Sequence, residues 1–293
     1  MDKQVYKANA LLMITAVIWG SAFVAQRVGM NYVGPYTFNG LRFALGTLVL
    51  LPFALMQKKS RVEERGDTAG FPVSTTALVG GILAGLALFS GASLQQIGLI
   101  YTTAGKAAFI TGLYVIIVPL MGLFLGQRPS WGGWIGACLA SAGLYLLSIT
   151  ETFTFAPGDL WELFGAFFWA AHIIILNYIS PKVNAIVLAC IQYIVVSVLS
   201  LFVALFTESL TLACLYKVFI PILYLGIFSV GIAYTLQVVA QRFAPPTHAA
   251  IILSLETVFA ALSGWIMLGE ILSPRDLAGC ALMLSGMIAA QLW

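Results

Sequence analysis

Long stretches of this chain run without a single charged residue, among them 68–105, 129–150, 163–181, 183–207 and 218–241. Each is close to or longer than the ~20 residues that carry an α-helix across the hydrocarbon core of a bilayer. The stretches are apolar all round and do not alternate, so they lack the pattern of a transmembrane β-barrel. In lipid every backbone N–H and C=O has to be satisfied within the protein, and an all-round apolar segment does that only as a helix. Charged residues make up 9% of the 293 positions and hydrophobic ones 61%, against roughly 25% charged in soluble domains. That leaves too little polar surface to cover a water-soluble core.

Ten spans follow from the runs and the breaks between them. The first half reads 8–27, 36–56, 75–97, 104–125 and 131–149; the second reads 159–179, 185–206, 216–238, 247–267 and 274–292. Gly34-Pro35, the charged stretch 57–70, Arg128-Pro129, Pro157-Gly158, Ser180-Pro181 and Pro245-Pro246 punctuate them. The first apolar stretch, behind Lys3 and Lys7, is long for a signal peptide and reads as a transmembrane helix. An N-terminus in the cytoplasm places Lys3, Lys7, Lys58, Lys59, Arg61, Arg65, Arg128, Lys182 and Arg242 inside, and Arg27, Lys106, Lys217 and Arg275 outside. The excess of positive charge on the first side predicts both termini in the cytoplasm.

The chain also repeats itself. Leu125, Gly126, Ser130, Gly136, Leu139 and Gly143 recur, without a gap, as Leu268, Gly269, Ser273, Gly279, Leu282 and Gly286. A tryptophan stands in the first helix of each half, Trp19 and Trp169. Five spans per half is an odd number, so the two copies sit upside down relative to each other. The expected fold is all-α integral membrane, ten transmembrane helices as two inverted five-helix repeats, with halves at 1–150 and 151–293. Inverted repeats are an architecture of alternating-access carriers, with the substrate near the midplane where the repeats meet.

Two segments carry a family likeness. The run AGKAAFITGLYVIIVP from Ala104 to Pro119, followed by Leu125-Gly126, resembles the fourth helix of EamA-type drug/metabolite transporters. LETVFAA from Leu255 to Ala261, followed by Leu268-Gly269-Glu270, resembles the ninth, with Thr257 where that family often has proline. Trp19-Gly20 and Leu41-Arg42-Phe43 fit as well. The resemblance implies ten helices, a prokaryotic inner (cytoplasmic) membrane and export of small metabolites such as amino acids. It does not choose among amino acids, nucleosides, sugars, sugar phosphates and drugs.

Ionisable groups inside a bilayer are expensive, roughly 2.5–3.5 kcal/mol on insertion scales, and tend to line a cavity or pathway. Glu256 lies near the middle of the ninth span and is the first candidate for substrate contact or proton coupling; the alternative is a structural carboxyl bonded to a neighbouring helix. His172, three residues after Trp169, is either a proton carrier or a neutral imidazole bonded to its surroundings. Arg42 and Lys106, towards the outer ends of their spans, either attract an anionic substrate group or snorkel to the headgroups. Asn39, Gln95, Gln192 and Tyr234 are polar positions within spans, suited to lining a cavity or to interhelical bonds. Trp19 and Trp169 are aromatic positions that stack on a substrate or simply pack.

No P-loop, Cys-x-x-Cys pair or His-rich cluster occurs; the four cysteines stand singly and the histidines are His172 and His248. The expectation is a secondary carrier without metal or other cofactor, with a small-molecule substrate and the lipid bilayer as its partners, proton coupling in view, no nucleic acid, and a monomeric or homodimeric state. A flippase of a lipid-linked group is the nearest rival. A membrane-embedded enzyme would need a catalytic constellation, and none stands out.

Overall fold

A computed structural model describes residues 3–65, 73–102, 104–148, 157–209, 211–268 and 273–292. Among these there are helices and no strand. They are α1 (Lys3–Gly29), α2 (Pro35–Arg65), α3 (Thr75–Tyr101), α4 (Ala104–Gly112), α5 (Tyr114–Phe124), α6 (Trp131–Ser148), α7 (Pro157–Ile179), α8 (Ala185–Thr207) and α9 (Leu212–Tyr224). A π-helical stretch (Leu225–Tyr234) leads into α10 (Thr235–Ala240), followed by α11 (Pro246–Leu253), α12 (Glu256–Leu268) and α13 (Pro274–Leu292). Among the described residues eight segments are long and apolar enough to cross a membrane, and Trp131–Leu147 is a shorter apolar helix. Residues 66–72 of the expected cytoplasmic loop 57–74 and residues 150–156 of the linker 150–158 lie outside the described residues, and α2 runs on into that loop as far as Arg65.

The outward faces are apolar. Phe124, Trp131, Leu205, Phe206, Tyr216 and Ile266 all stand well exposed, a contiguous kind of surface that water does not tolerate and lipid does. The polar side chains have gone inward instead: Gln26, Asn39, Arg42, Gln96, Glu162, His172, Gln192, Gln237 and Glu256 are all buried.

Small residues set how closely the helices approach. A Cβ on Gly136 would fall 2.7 Å from Gly286 O, and one on Gly286 the same distance from Gly136 O. One on Gly143 would fall 2.5 Å from Gly279 O, and one on Gly279 would fall 2.7 Å from Gly143 O. The glycines of the sequence repeat therefore meet backbone to backbone, holding α6 against α13 in antiparallel register. Gly126, with φ of +75°, ends the preceding helical segment in the left-handed region that glycine alone enters freely. Its counterpart in the repeat, Gly269, lies outside the described residues.

Three expected spans are broken in the middle. The fourth divides into α4 and α5 at Leu113, whose N–H bonds back to Ile110 O at 3.1 Å in a tightened turn. The ninth divides into α11 and α12 at Ser254-Leu255, where Leu255 N–H bonds to Ile252 O at 3.2 Å and Thr257 Oγ1 caps Ser254 O at 2.6 Å. The eighth contains the π-helical stretch, a wide helix form that recurs at functional sites.

Candidate functional site

The three irregular segments surround one small internal cavity of about 40 Å³. Its walls bring together Trp19, Gln26, Arg42, Gln95, Trp169, Tyr234, Gln237 and Glu256, along with Thr111 from α4 and Tyr114 from α5. The volume holds little more than one water, whose share of the liquid is ~30 Å³.

Tyr114 and Glu256 each occupy the first position after a helix interruption, and the Tyr114 hydroxyl donates to Glu256 Oε1 at 3.2 Å. Glu256 is also the first residue of α12. Gly20 makes this placement feasible: a Cβ there would fall 2.6 Å from Glu256 O, so α1 has to be bare where α12 starts.

Arg42 is 2% exposed, so it does not reach the headgroups. Its guanidinium lies 5.8 Å from the centre of the Phe38 ring and 5.2 Å from that of Phe43, and donates to Gln26 Oε1 at 3.0 Å. Its Nε has no partner, and no carboxylate of the described residues pairs with it. Tyr234 lines the same cavity as Arg42 and Glu256. Trp19 and Trp169, from the first helix of each half, converge on that tyrosine. Trp169 stacks on it at 6.1 Å and 16°, and Trp19 tilts against it at 4.5 Å. Trp19 Nε1 donates to Ser229 O, in the π-helical stretch, at 3.4 Å.

The remaining candidates stand elsewhere. His172 Nε2 and Gln192 Oε1 are 2.9 Å apart, a buried pair joining α7 to α8 behind the Trp169 wall. Asn39 is fully buried with both amide atoms unpartnered, outside the cavity lining. Lys106 is at the end of the bundle that the charge distribution predicts to face outward, and its Nζ bonds Asp159 Oδ2 at 2.7 Å, so this ammonium is held by a carboxylate of the protein. Thr102 Oγ1 donates to the other Asp159 oxygen at 2.7 Å. On the same side, Glu208 accepts the N–H groups of Tyr36 and Thr37 at the start of α2, both at 2.8 Å, and Arg27 donates to Leu99 O.

A larger hollow of about 610 Å³ lies at the opposite end, among Arg128, Ser130, Asn177, Thr247 and His248. With the orientation expected from the charge distribution, that end faces the cytoplasm.

Sequence reasoning passed over Gln26, Thr111, Ser229, Asp159 and Glu162. The last two carried a usable signal: acidic residues three apart in the first turns of a helix share one face. Among the described residues no group of three or more His, Cys, Asp or Glu is placed to hold a metal ion.

The model of the EamA-like transporter family matches residues 6–149 and again 156–290. A protein of Archaeoglobus fulgidus named as an uncharacterized transporter is 32% identical over 291 residues, covering 99% of this chain and 87% of its own length. The uncharacterized inner membrane transporter YedA of Escherichia coli K12 is 24% identical over 280 residues, 92% of this chain and 86% of that one. A solved crystal structure superposes with a TM-score of 0.79 at 20% identity, covering 97% of this chain and 96% of its own, a likeness of fold.

Proposed function

The chain belongs to the EamA-like transporter family, and on that premise we propose that it is a secondary exporter of small zwitterionic metabolites, such as amino acids, working by alternating access. It is a multi-pass membrane protein with a transporter's role. The observation that carries the finer reading is that one cavity holds two ionisable groups of opposite kind: the guanidinium of Arg42, which pairs with no carboxylate of the described residues, and the carboxyl of Glu256. A buried cation without an anion is strongly unfavourable, and a ligand carboxylate supplies the missing partner. The ammonium of the same ligand then meets Glu256, with Trp19, Trp169 and Tyr234 supplying apolar faces for its side chain.

Alternating access draws support from the symmetry of the packing. The reciprocal contacts Gly136–Gly286 and Gly143–Gly279 are those expected if a two-fold axis in the membrane plane exchanges residues 1–150 with 151–293. The interruptions at Leu113 and at Ser254-Leu255 fall in corresponding positions of the two halves, as in carriers whose substrate sits between broken helices. Ten transmembrane helices with both termini in the cytoplasm complete the reading. The outer-end bonds of Glu208, Lys106 and Arg27 then describe a state closed to the outside.

The test is counterflow in proteoliposomes with three matched compounds: an amino acid, its decarboxylated amine and its deaminated acid. The proposal expects exchange of the amino acid and little of the other two. Equal exchange of all three, or of none against a wider metabolite panel, would remove the zwitterion assignment.

A further inference from the structure

Outside the central cavity the molecule buries a second carboxyl that the site above does not use. Glu162, on α7, is fully buried. Its Oε2 is 3.0 Å from Thr111 Oγ1, and its Oε1 has no hydrogen-bond partner. Oε1 lies against Gly98, where a Cβ would fall 2.6 Å away, so α3 leaves room for the carboxyl by carrying no side chain there. Thr111 has a second neighbour: it lines the central cavity.

From this arrangement we propose that Glu162 is a second proton-binding site, lying between the outer surface and the central cavity and joined to that cavity by Thr111. An ionised carboxylate in this place would hold its charge in the membrane interior on one neutral hydroxyl, an arrangement far poorer than water or an ion pair. The neutral acid removes the problem. Its O–H donates to Thr111 Oγ1, and the Thr111 hydroxyl is then free to donate onward into the cavity, since a hydroxyl both donates and accepts. The proton exchanged is the only thing that moves; no bond between heavy atoms changes.

The charged neighbours leave Glu162 without a counter-ion. Asp159 lies one turn outward on the same helix, and the nearby ammonium of Lys106 on α4 is bound to it. From α3 come Gly98 and Gln95, and the guanidinium of Arg27 on α1 is bound to Leu99 O in that helix. Tyr101 at the outer end of α3 is exposed. Tyr114 of α5 is bound to Glu256, and His172, further along α7, to Gln192. Lys182 and His248 lie at the opposite end of the bundle. Asp159 with Lys106 thus forms an outer cap, Glu162 the next station inward, and Thr111 the step to the cavity that holds Glu256.

The role in coupling rests on the carrier reading, whereas the protonation state does not, so two measurements separate them. The first is infrared difference spectroscopy of the purified protein in lipid, exchanged between H₂O and D₂O. The wild type is expected to show a protonated-carboxyl C=O band that disappears in Glu162→Gln and persists in Glu256→Gln. Thr111→Val, which keeps the glutamate, should shift that band by removing its hydrogen-bond partner. If neither Glu162→Gln nor Thr111→Val alters the band, Glu162 is ionised and the proposal is wrong. The second is transport: Glu162→Gln should still exchange substrate but no longer respond to pH on the outer side. An unchanged response to outer pH would overturn the coupling role, and absence of transport by the wild type would count against the carrier reading while leaving the infrared result to decide the site.

Discussion

The hydroxyl of Tyr114 donates to Glu256 Oε1 at 3.2 Å across 142 residues of sequence, and both residues open the second piece of a broken helix. Tyr114 is thereby the side chain of the first half that holds the acidic group of the second. Removing the hydroxyl by Tyr114→Phe should raise the substrate concentration for half-maximal transport about tenfold, the equivalent of about 1.4 kcal/mol. Because the two groups act as one unit, the double variant with Glu256→Gln should be no worse than Glu256→Gln alone. Additive losses in this cycle would show that the bond is incidental.

Arg42 offers a test of substrate recognition in which a matched amine serves as the control. Arg42→Lys keeps the charge but loses the planar fork that grips a carboxylate and stacks on Phe38 and Phe43. Transport of a carboxylate-bearing substrate should fall in Arg42→Lys and further in Arg42→Gln, by about 2–5 kcal/mol for the loss of a buried charge partner. Competition by the decarboxylated amine should weaken less. Equal effects on both compounds would place Arg42 outside the recognition of the carboxylate.

The glycines separate into two kinds. At Gly143 a methyl group would press on backbone, 2.5 Å from Gly279 O, and neither helix can yield without moving the other. Gly143→Ala should lower stability by about 1–3 kcal/mol or more. Gly126 has open space around it and an unfavourable φ for other residues, so Gly126→Ala should lose only about 1–2 kcal/mol. Thermal unfolding in detergent compares the two, and a greater loss at Gly126 would contradict the packing account of α6 and α13.

Orientation is testable at two exposed positions. The charge distribution puts Ser209 outside and Arg128 inside. An impermeant thiol reagent added to intact cells should label Ser209→Cys and leave Arg128→Cys unlabelled. Labelling of Arg128→Cys in sealed cells would reverse the topology.

Much of the architecture is written in the distribution of charge. The run 183–207 contains no ionisable side chain but Cys190 and Tyr193, and it becomes the 23-residue helix α8. Glu256 stands out because an acid amid apolar residues has few alternatives. The helix interruptions are another matter. Leu113 and Leu255 are apolar residues within apolar runs, and neither identity marks a break. The pairing of Lys106 with Asp159 is equally silent: each reads alone as a charge near a span's end, and only folding brings together positions 53 apart. Arg42 looked able to snorkel because a guanidinium on a flexible stem can usually reach water. Its aromatic collar of Phe38 and Phe43 turns it inward.

The central claim is that Glu256 couples the switch between inward and outward states to what it binds. A ligand or proton shifts such an equilibrium only through its different affinity for the two states, so deleting the binding group deletes the coupling. The most direct measurement is accumulation of a radiolabelled amino acid in proteoliposomes with and without an imposed pH gradient, comparing wild type with Glu256→Gln. The wild type should accumulate substrate in response to the gradient, and the correctly folded Glu256→Gln variant should show no net transport or no dependence on pH. Accumulation by Glu256→Gln at the wild-type rate and with the wild-type pH profile would make this glutamate a structural residue and contradict the account.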